Sequence, residues 1–349
     1  MTRRSIPLTL VLVLTVTVFA RADPADDFIR TEMTRQNIPG LSLAIVKDGQ
    51  IIKAAGYGLA DRNRKIPATP ETVYKIASVS KQFIATGIML LVQEGRLRVD
   101  DPINKYLEGT PAAWKDITVR HLLTHTSGIV REAPGYDPSR ILSDAEVVKS
   151  SYAVPLRFAP GEKWEYGNVS YFALAEIIRT VAGQPWTEYL NEKVFKPSGM
   201  RATFPTNTKE RVPNRAVGYA DNDKLLTADD WPALRPSGAF LSTVLDLAKW
   251  DAVLYTDKII SEPSRRQMWT PVRLNDGTTS PYGFGWELQS PPGRTLVHHS
   301  GGMPGFRAMF ARYMNDRVTV IVLMNLDDVD QRSIVQGIAE LYLPAVAAK

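Results

Sequence analysis

Three short motifs bring together residue types that can carry out acyl transfer. The first is Ser78-Val79-Ser80-Lys81, which places a hydroxyl and an amine three positions apart at the start of a predicted helix. Residues i and i+3 share a helix face, so Lys81 is expected beside the Ser78 hydroxyl. A serine is a weak nucleophile until a neighbouring base takes its proton, and a buried lysine with a lowered pKa can be that base. A plain helix cap beside a solvated lysine gives the same pattern, although no other serine here has Lys three residues later.

The second motif is Tyr166-Gly167-Asn168, which offers a phenol and an amide two residues apart in a loop. The tyrosine can relay a proton, and the amide can hold Lys81 and a substrate carbonyl. Two nearby cations would lower the pKa of this tyrosine from its usual value of about 10. The same pattern occurs at Tyr189 and Tyr313, but only Tyr166 follows a loop signal and precedes a predicted helix.

The third motif is His299-Ser300-Gly301, which lies on a predicted strand and is followed by Gly302. A polar edge strand with two glycines lets a substrate backbone approach closely. Its N–H groups can pair with the substrate and complete an oxyanion hole with the Ser78 N–H. The alternative is a polar strand end that simply turns at glycine.

The elements that must position these motifs follow a simple order, with strands at both ends of the chain and helices in the middle. Strands are predicted at 41–46 and from 51, joined by an Asp48-Gly49 turn, and again at 295–298, 306–313 and 318–324. Helices are predicted at 79–94, 119–124, 171–182, 244–254 and 334–342. This order predicts an α+β fold, a mainly antiparallel sheet flanked by helices with a helical insertion. The sheet region is placed at about 23–75 and 238–349 and the helical region at about 76–237, in one catalytic domain spanning 23–349.

Composition excludes several classes of protein. The 349 residues are 44% hydrophobic and 23% charged, which is typical of a globular chain rather than a disordered one. The formal charge is +5 and no basic run reaches five residues, so no nucleic-acid partner is expected. There is no cysteine, and the four histidines form no zinc-hydrolase motif, so neither a metal nor a cofactor is expected. The absence of a G-x-S-x-G segment argues against an α/β-hydrolase.

Residues 1–22 have the pattern of a secretory signal peptide. Arg3 and Arg4 give a positive start, an uncharged apolar run covers 6–20, and Ala20-Arg21-Ala22 has small residues at the two positions that a signal peptidase reads. Cleavage is predicted after Ala22, which would make the protein periplasmic or secreted with no stable membrane span. The alternative is an apolar run that is retained as an anchor, although it is short for a full span.

The three motifs, in this order, resemble those of the serine β-lactamase-like hydrolases. The match is to the branch that contains class C β-lactamases, D-Ala-D-Ala carboxypeptidases and esterases, and it covers roughly residues 25 to 325. Further matching segments are ITVRHLLTHTSG at 117–128, FAPG at 158–161 and YGFGW at 282–286. The resemblance implies that Ser78 forms an acyl-enzyme, that Lys81 and Tyr166 share its proton and that Asn168 orients Lys81. It also implies an oxyanion hole made by the N–H groups of Ser78 and Gly302.

One departure from the family pattern bears on the substrate. The third motif begins with His299, where the family pattern has a lysine. A lysine is a permanent cation that can hold the carboxylate of a β-lactam, whereas a histidine is mostly neutral at pH 7. We therefore expect an exported serine hydrolase that cleaves a small-molecule or peptide amide or an ester. The alternatives are a class C-type β-lactamase and a penicillin-binding sensor that deacylates slowly. The sequence leaves the oligomeric state open.

Overall fold

The computed structural model describes residues 23–208, 211–220, 226–227 and 235–344, so the predicted signal peptide at 1–22 lies outside the described residues. The helices are α1 (Pro24–Arg35), α2 (Lys81–Gln93), α3 (Val119–Leu123), α4 (Asp144–Ser150), α5 (Val169–Ala182), α6 (Trp186–Leu190), α7 (Lys196–Ser198), α8 (Val244–Val253), α9 (Glu262–Met268) and α10 (Gln331–Tyr342). The strands are β1 (Gly40–Lys47), β2 (Gln50–Asp61), β3 (Ile66–Pro67), β4 (Tyr74–Lys75), β5 (Phe204–Pro205), β6 (Tyr219–Ala220), β7 (Leu226–Thr227), β8 (Phe240–Ser242), β9 (Val272–Arg273), β10 (Thr279–Ser280), β11 (Glu287–Gln289), β12 (Leu296–Met303), β13 (Phe306–Tyr313) and β14 (Val318–Met324). Short 3₁₀ turns lie at Ala77–Ser80, Ile103–Lys105 and Ala112–Trp114, and a π-helical turn lies at Asn191–Phe195.

The main sheet is built from both ends of the chain. It has seven strands in the order β11-β12-β13-β14-β1-β2-β3, and neighbouring strands run antiparallel. In its centre β1 pairs with β14, so that Leu43 lies opposite Val322. The predicted α+β class, with a mainly antiparallel sheet, is confirmed.

The β1–β2 hairpin turns where the sequence predicts. Asp48 and Gly49 have φ values of 52° and 76°, and Lys47 pairs with Gln50 across them. Two successive residues with positive φ give a turn whose twist matches that of the flanking strands, which explains the preference for Asp-Gly.

Alternate residues of β1 enter two hydrophobic cores on opposite faces of the sheet. Leu43 and Ile45 belong to a core that also holds Ile29 of α1 and Ile338 of α10. Ala44 on the other face belongs to a larger core that contains α2, α5 and α8. Because α2 is buried in this larger core, the turn that precedes it is held firmly against the sheet. Over the described ranges, no helix has both the length and the apolar character needed to cross a bilayer.

A buried ion pair ties α8 to the sheet. Arg312 Nε of β13 donates to Asp251 Oδ1 of α8 at 2.7 Å, and the Thr319 hydroxyl of β14 donates to the same oxygen at 2.7 Å. The two charged side chains are 0% and 1% exposed. The Arg312 guanidinium also lies 4.6 Å from the centre of the Tyr255 ring. These contacts fix α8 on the sheet face that carries the larger core.

The structure corrects the sequence prediction in three places. The region assigned to the sheet from residue 23 begins instead with α1. The helix predicted at 79–94 is preceded by the 3₁₀ turn Ala77–Ser80, and α2 itself starts at Lys81. Strand β12 continues to Met303, past its predicted end at 298. It can do so because Gly301 has no side chain and passes close to Ile76, the residue before the 3₁₀ turn. A Cβ at position 301 would lie 2.3 Å from the Ile76 carbonyl oxygen. By contrast, β13 and β14 have the predicted bounds.

Candidate active site

Ser78 and Lys81 meet at the junction between the 3₁₀ turn and α2. Residues i and i+3 eclipse one another in a 3₁₀ turn, which sets the lysine directly beside the serine. The Lys81 Nζ atom lies 3.2 Å from the Ser78 Oγ atom. Ser78 is partly exposed, whereas Lys81 is fully buried. The structure therefore brings together the two residues of the first motif, with the hydroxyl on the accessible side.

The Lys81 amine lies in a site that disfavours its charged form. Besides Ser78, Nζ contacts Asn168 Oδ1 at 3.0 Å and the Ser237 carbonyl oxygen at 2.9 Å. Burial lowers the pKa of Lys81 well below its ordinary value, and the nearby guanidinium of Arg235 lowers it further, against the opposing carboxylate of Glu132. The site therefore favours the neutral amine of Lys81 more than water does.

Tyr166 lies beside both residues, directly before α5. Its hydroxyl is hydrogen-bonded to Ser78, and its ring centre is 4.7 Å from Lys81 Nζ. The expectation that cations lower the pKa of Tyr166 is wrong: burial raises it, and this outweighs the lowering by the Ser78 hydrogen bond and Arg131. Tyr166 is thus a neutral hydroxyl in contact with the Ser78 hydroxyl.

His125 supports the loop that carries Tyr166. Its Nδ1 atom accepts a hydrogen bond from the Gly167 N–H at 3.3 Å, and its ring centre lies 4.4 Å from that of Tyr166. Burial lowers the pKa of His125 well below its ordinary value, so the imidazole is neutral. Its contacts are those of a structural residue in the wall of the site.

Asn168 joins Lys81 to two charged residues that the sequence analysis did not identify. Its Nδ2 atom donates to Glu132 Oε1, and Arg235 Nη2 donates to Glu132 Oε2 at 3.1 Å. The Arg235 guanidinium lies 4.6 Å from the centre of the Tyr136 ring. Glu132 and Arg235 lie in irregular segments without a motif, so only the folded chain reveals that they adjoin the site.

His299 lies on β12 with its ring centre 6.2 Å from that of Tyr166, and it is 1% exposed. Its Nδ1–H donates to the Ser300 carbonyl oxygen at 2.7 Å, and its Nε2 accepts from the Tyr282 hydroxyl at 2.9 Å. Burial lowers its pKa to about 4, and Lys81 adds to the lowering while Glu287 opposes it. His299 is therefore neutral at pH 7, as the sequence analysis expects.

Gly302, which follows the third motif, borders a cleft of about 400 Å³. Ser300 and Gly301 do not line this cleft: Gly301 packs against the backbone that leads into Ser78, and Ser300 Oγ donates to Glu287 Oε1 at 3.2 Å. The polar groups that line the cleft are Ser78, Asn168, Ser237, Gly302, two carboxylates, Glu132 and Asp327, and three arginines, Arg131, Arg235 and Arg307.

Two of these arginines have no carboxylate partner among the residues that the structure describes. Arg307 lies opposite Gly302 in the β12–β13 register and donates only to the Phe306 carbonyl oxygen. Arg131 lies with its guanidinium 5.7 Å from the centre of the Tyr166 ring. Within the described part of the chain neither forms an ion pair. The cleft therefore offers positive charge that residue 299 does not supply.

Both the sequence and the fold of this chain are similar to those of known proteins. The family model described as Beta-lactamase matches residues 25–342. Penicillin-binding protein 4* of Bacillus subtilis is 33% identical over 306 residues, which cover 80% of this chain and 66% of that protein, so the chain spans about two thirds of this relative's length. The octameric penicillin-binding protein homologue of Pyrococcus abyssi is 30% identical, with a TM-score of 0.79, over 91% of this chain and 76% of that one. The D-amino acid amidase of Ochrobactrum anthropi SV3, solved with L-phenylalanine amide, is 25% identical, with a TM-score of 0.76, over 91% and 96% of the two chains.

Proposed function

Because the chain belongs to the β-lactamase family, we propose that it is an acyl-transfer hydrolase with Ser78 as its nucleophile. The observation that carries this proposal is the 3.2 Å approach of the Lys81 amine to the Ser78 hydroxyl in a buried site. A serine hydroxyl attacks a carbonyl carbon only when a base accepts its proton, and this base is already in hydrogen-bond reach.

Lys81 is the base in this proposal. A neutral amine has two hydrogens and one lone pair. Asn168 Oδ1 and the Ser237 carbonyl oxygen can accept only the two hydrogens, which leaves the lone pair for the Ser78 O–H. The lowered pKa of Lys81 favours this neutral form.

Tyr166 passes the proton onward. When Ser78 Oγ bonds to the substrate carbonyl carbon, the serine proton moves to Lys81. When the carbon–nitrogen bond breaks, the leaving nitrogen takes the Tyr166 proton, and Tyr166 is reprotonated from Lys81. A tyrosine with a raised pKa suits a relay because it does not rest in its ionised form. The N–H groups of Ser78 and Gly302 form the oxyanion hole, and Asn168 and His299 hold their neighbours in place. Water then attacks the acyl carbon and gives one proton to the Lys81–Tyr166 pair, which returns a proton to Ser78 Oγ as the bond between the acyl carbon and Oγ breaks.

The substrate class is an amide, either a peptide or a D-amino acid derivative. The similarity to a D-amino acid amidase and to penicillin-binding proteins supports an amide substrate, and the cleft arginines support an anionic group on it. An ester fits the same chemistry. A β-lactam is ranked lower because the neutral His299 cannot act as a fixed cation.

We also propose that the protein is exported, which rests on the N-terminal pattern of residues 1–22, and that 23–349 form one catalytic domain. The pairing of β1 with β14 and the meeting of Ser78 with β12 support this domain assignment.

Intact mass spectrometry combined with a substrate panel tests the proposed function. The panel is a D-amino acid amide, a peptide ending in D-Ala-D-Ala, a p-nitrophenyl ester and nitrocefin. We expect turnover of an amide or the ester to exceed that of nitrocefin, and a short-lived acyl adduct to appear on Ser78. A benzylpenicillin adduct that persists without turnover of any substrate would contradict a hydrolase and support a sensor. Nitrocefin turnover above that of the other three would reverse the substrate ranking.

Replacing Arg307 with Gln should separate acidic substrates from neutral ones. The variant is expected to raise KM for a peptide with a free terminal carboxylate by roughly 10- to 100-fold, since a hydrogen bond to a charged group contributes about 1.5–3 kcal/mol. KM for the same peptide with an amidated terminus should stay unchanged. The matched control is Arg98→Gln, which removes an exposed arginine outside the cleft. Equal KM increases for both peptides would contradict carboxylate recognition by Arg307.

A further inference from the structure

Glu132 does not touch the groups of the proposed proton path directly. It is hydrogen-bonded to Asn168, and Asn168 in turn contacts Lys81. We propose that Glu132 is a positioning residue for acyl transfer: it fixes the Asn168 amide with its oxygen towards Lys81 and, with Arg235, sets the charge environment of that amine. This inference rests on the proposed function, because it assumes that Lys81 acts as the base.

The first part of the argument concerns the orientation of an amide. The two ends of an asparagine amide have nearly the same shape, but one end accepts hydrogen bonds and the other donates. The Glu132 carboxylate only accepts, so it selects the Asn168 Nδ2 end and turns Oδ1 towards Lys81 Nζ, 3.0 Å away. With the amide reversed, an oxygen would face the carboxylate and an NH₂ group would face the amine. Glu132 therefore disfavours the amide orientation in which Lys81 would lose its contact with Asn168 Oδ1.

Glu132 is itself held in place. Its second oxygen accepts from Arg235 at 3.1 Å, and the Arg235 guanidinium lies against the Tyr136 ring. The Arg235 side chain is only 13% exposed, whereas that of Glu132 is 43% exposed. The less exposed arginine thus anchors the more exposed carboxylate, which in turn orients the amide.

The second part of the argument concerns charge. The amine contacts three uncharged polar groups, on Ser78, Asn168 and Ser237. The titratable and charged side chains around it are His125, Arg131, Glu132, Tyr166, Tyr171, Arg235 and His299. Burial is the largest cause that lowers the pKa of Lys81, and Arg235 and Arg131 lower it further, while Glu132 raises it. Neutralising Glu132 should therefore lower the pKa of Lys81, and neutralising Arg235 should raise it. The two halves of one ion pair act on the amine with opposite signs.

Three variants separate geometry from charge. Glu132→Gln keeps an acceptor oxygen for Asn168 but removes the charge, Glu132→Ala removes both, and Arg235→Gln removes the opposite charge. If Lys81 must be neutral to act, the acidic limb of kcat/KM against pH reports its pKa. We expect this limb to move to lower pH in Glu132→Gln and to higher pH in Arg235→Gln. In Glu132→Ala we expect kcat to fall roughly 10- to 100-fold with KM within about twofold, because a misplaced group that must be aligned for reaction costs rate.

The controls separate this inference from the proposed function. Glu108→Gln removes an exposed carboxylate outside the site and should leave kcat, KM and the pH profile unchanged. Intact mass should still find the acyl adduct on Ser78 in Glu132→Ala, formed more slowly than in the unmodified protein. Unchanged kcat in Glu132→Ala, a loss confined to KM, or shifts of the same sign in the two charge variants would overturn the inference. An unmodified protein that forms no adduct would overturn the proposed function itself.

Discussion

Replacement of Ser78 by Ala is expected to lower kcat/KM for a p-nitrophenyl ester or an amide by about 10⁴-fold or more. Alanine keeps the turn but removes the atom that would bond to the substrate carbonyl carbon, and Lys81 cannot substitute for it because its amine is fully buried below Ser78. The loss should lie in kcat, since the cleft and its arginines remain. Initial rates, together with intact mass after incubation with substrate, measure the effect.

Two further variants serve as a control and as a test of whether Ser78 and Lys81 act together. Ser290→Ala removes an exposed serine outside the site and should leave the rate unchanged. The double variant Ser78→Ala/Lys81→Met should be scarcely slower than either single variant, because groups that act as one unit lose their effect together. Turnover in Ser78→Ala equal to that of the unmodified protein would contradict the assignment of Ser78 as the nucleophile.

The largest effect on stability is expected from Asp251→Ala, which should lower the free energy of unfolding by about 3–5 kcal/mol. The variant leaves the Arg312 guanidinium, which is 0% exposed, without a counter-charge inside the protein. It also removes the acceptor of the Thr319 hydroxyl, so α8 loses its polar link to both β13 and β14. Urea unfolding followed by circular dichroism measures the change.

The double variant Asp251→Leu/Arg312→Met tests the cause. If the penalty comes from an uncompensated buried charge, replacing both partners by apolar side chains should recover most of the lost stability. A double variant as unstable as Asp251→Ala would show instead that the packing of these particular side chains matters more than their charge.

Much of the fold follows from local sequence patterns. Strands β13 and β14 have their predicted bounds because mainly apolar segments end at clear turn residues, and the Asp48-Gly49 turn needs only the conformations of those two residues. Helix α1 escapes prediction because only Ala25 and Ile29 are buried along it, which gives too weak an apolar face. The continuation of β12 past Gly301 depends on a contact with Ile76, which lies far away in the sequence.

The candidate site also combines features that the sequence predicts with features that depend on the tertiary structure. The pairing of Ser78 with Lys81 is local, so the spacing predicts it, and the neutral state of His299 follows from its residue type. The partners Glu132, Arg235 and Arg307 come to the cleft from two irregular segments and a neighbouring strand, so only the tertiary structure brings them together. The pKa of Tyr166 depends on the balance between burial and charge, and burial has the larger effect.

The central pairing of β1 with β14 has a consequence for how the chain reaches its native state. On the ribosome, the hairpin of β1 and β2 emerges early, but β1 keeps an open hydrogen-bonding edge until residues 318–324 follow. Contacts between such distant segments make folding slow, since a long loop must close before they form. During that interval the apolar edge of β1 is exposed to pairing with other chains. Refolding from urea should therefore yield more native protein at low concentration, and shielding of β1 should matter more than shielding of any helix.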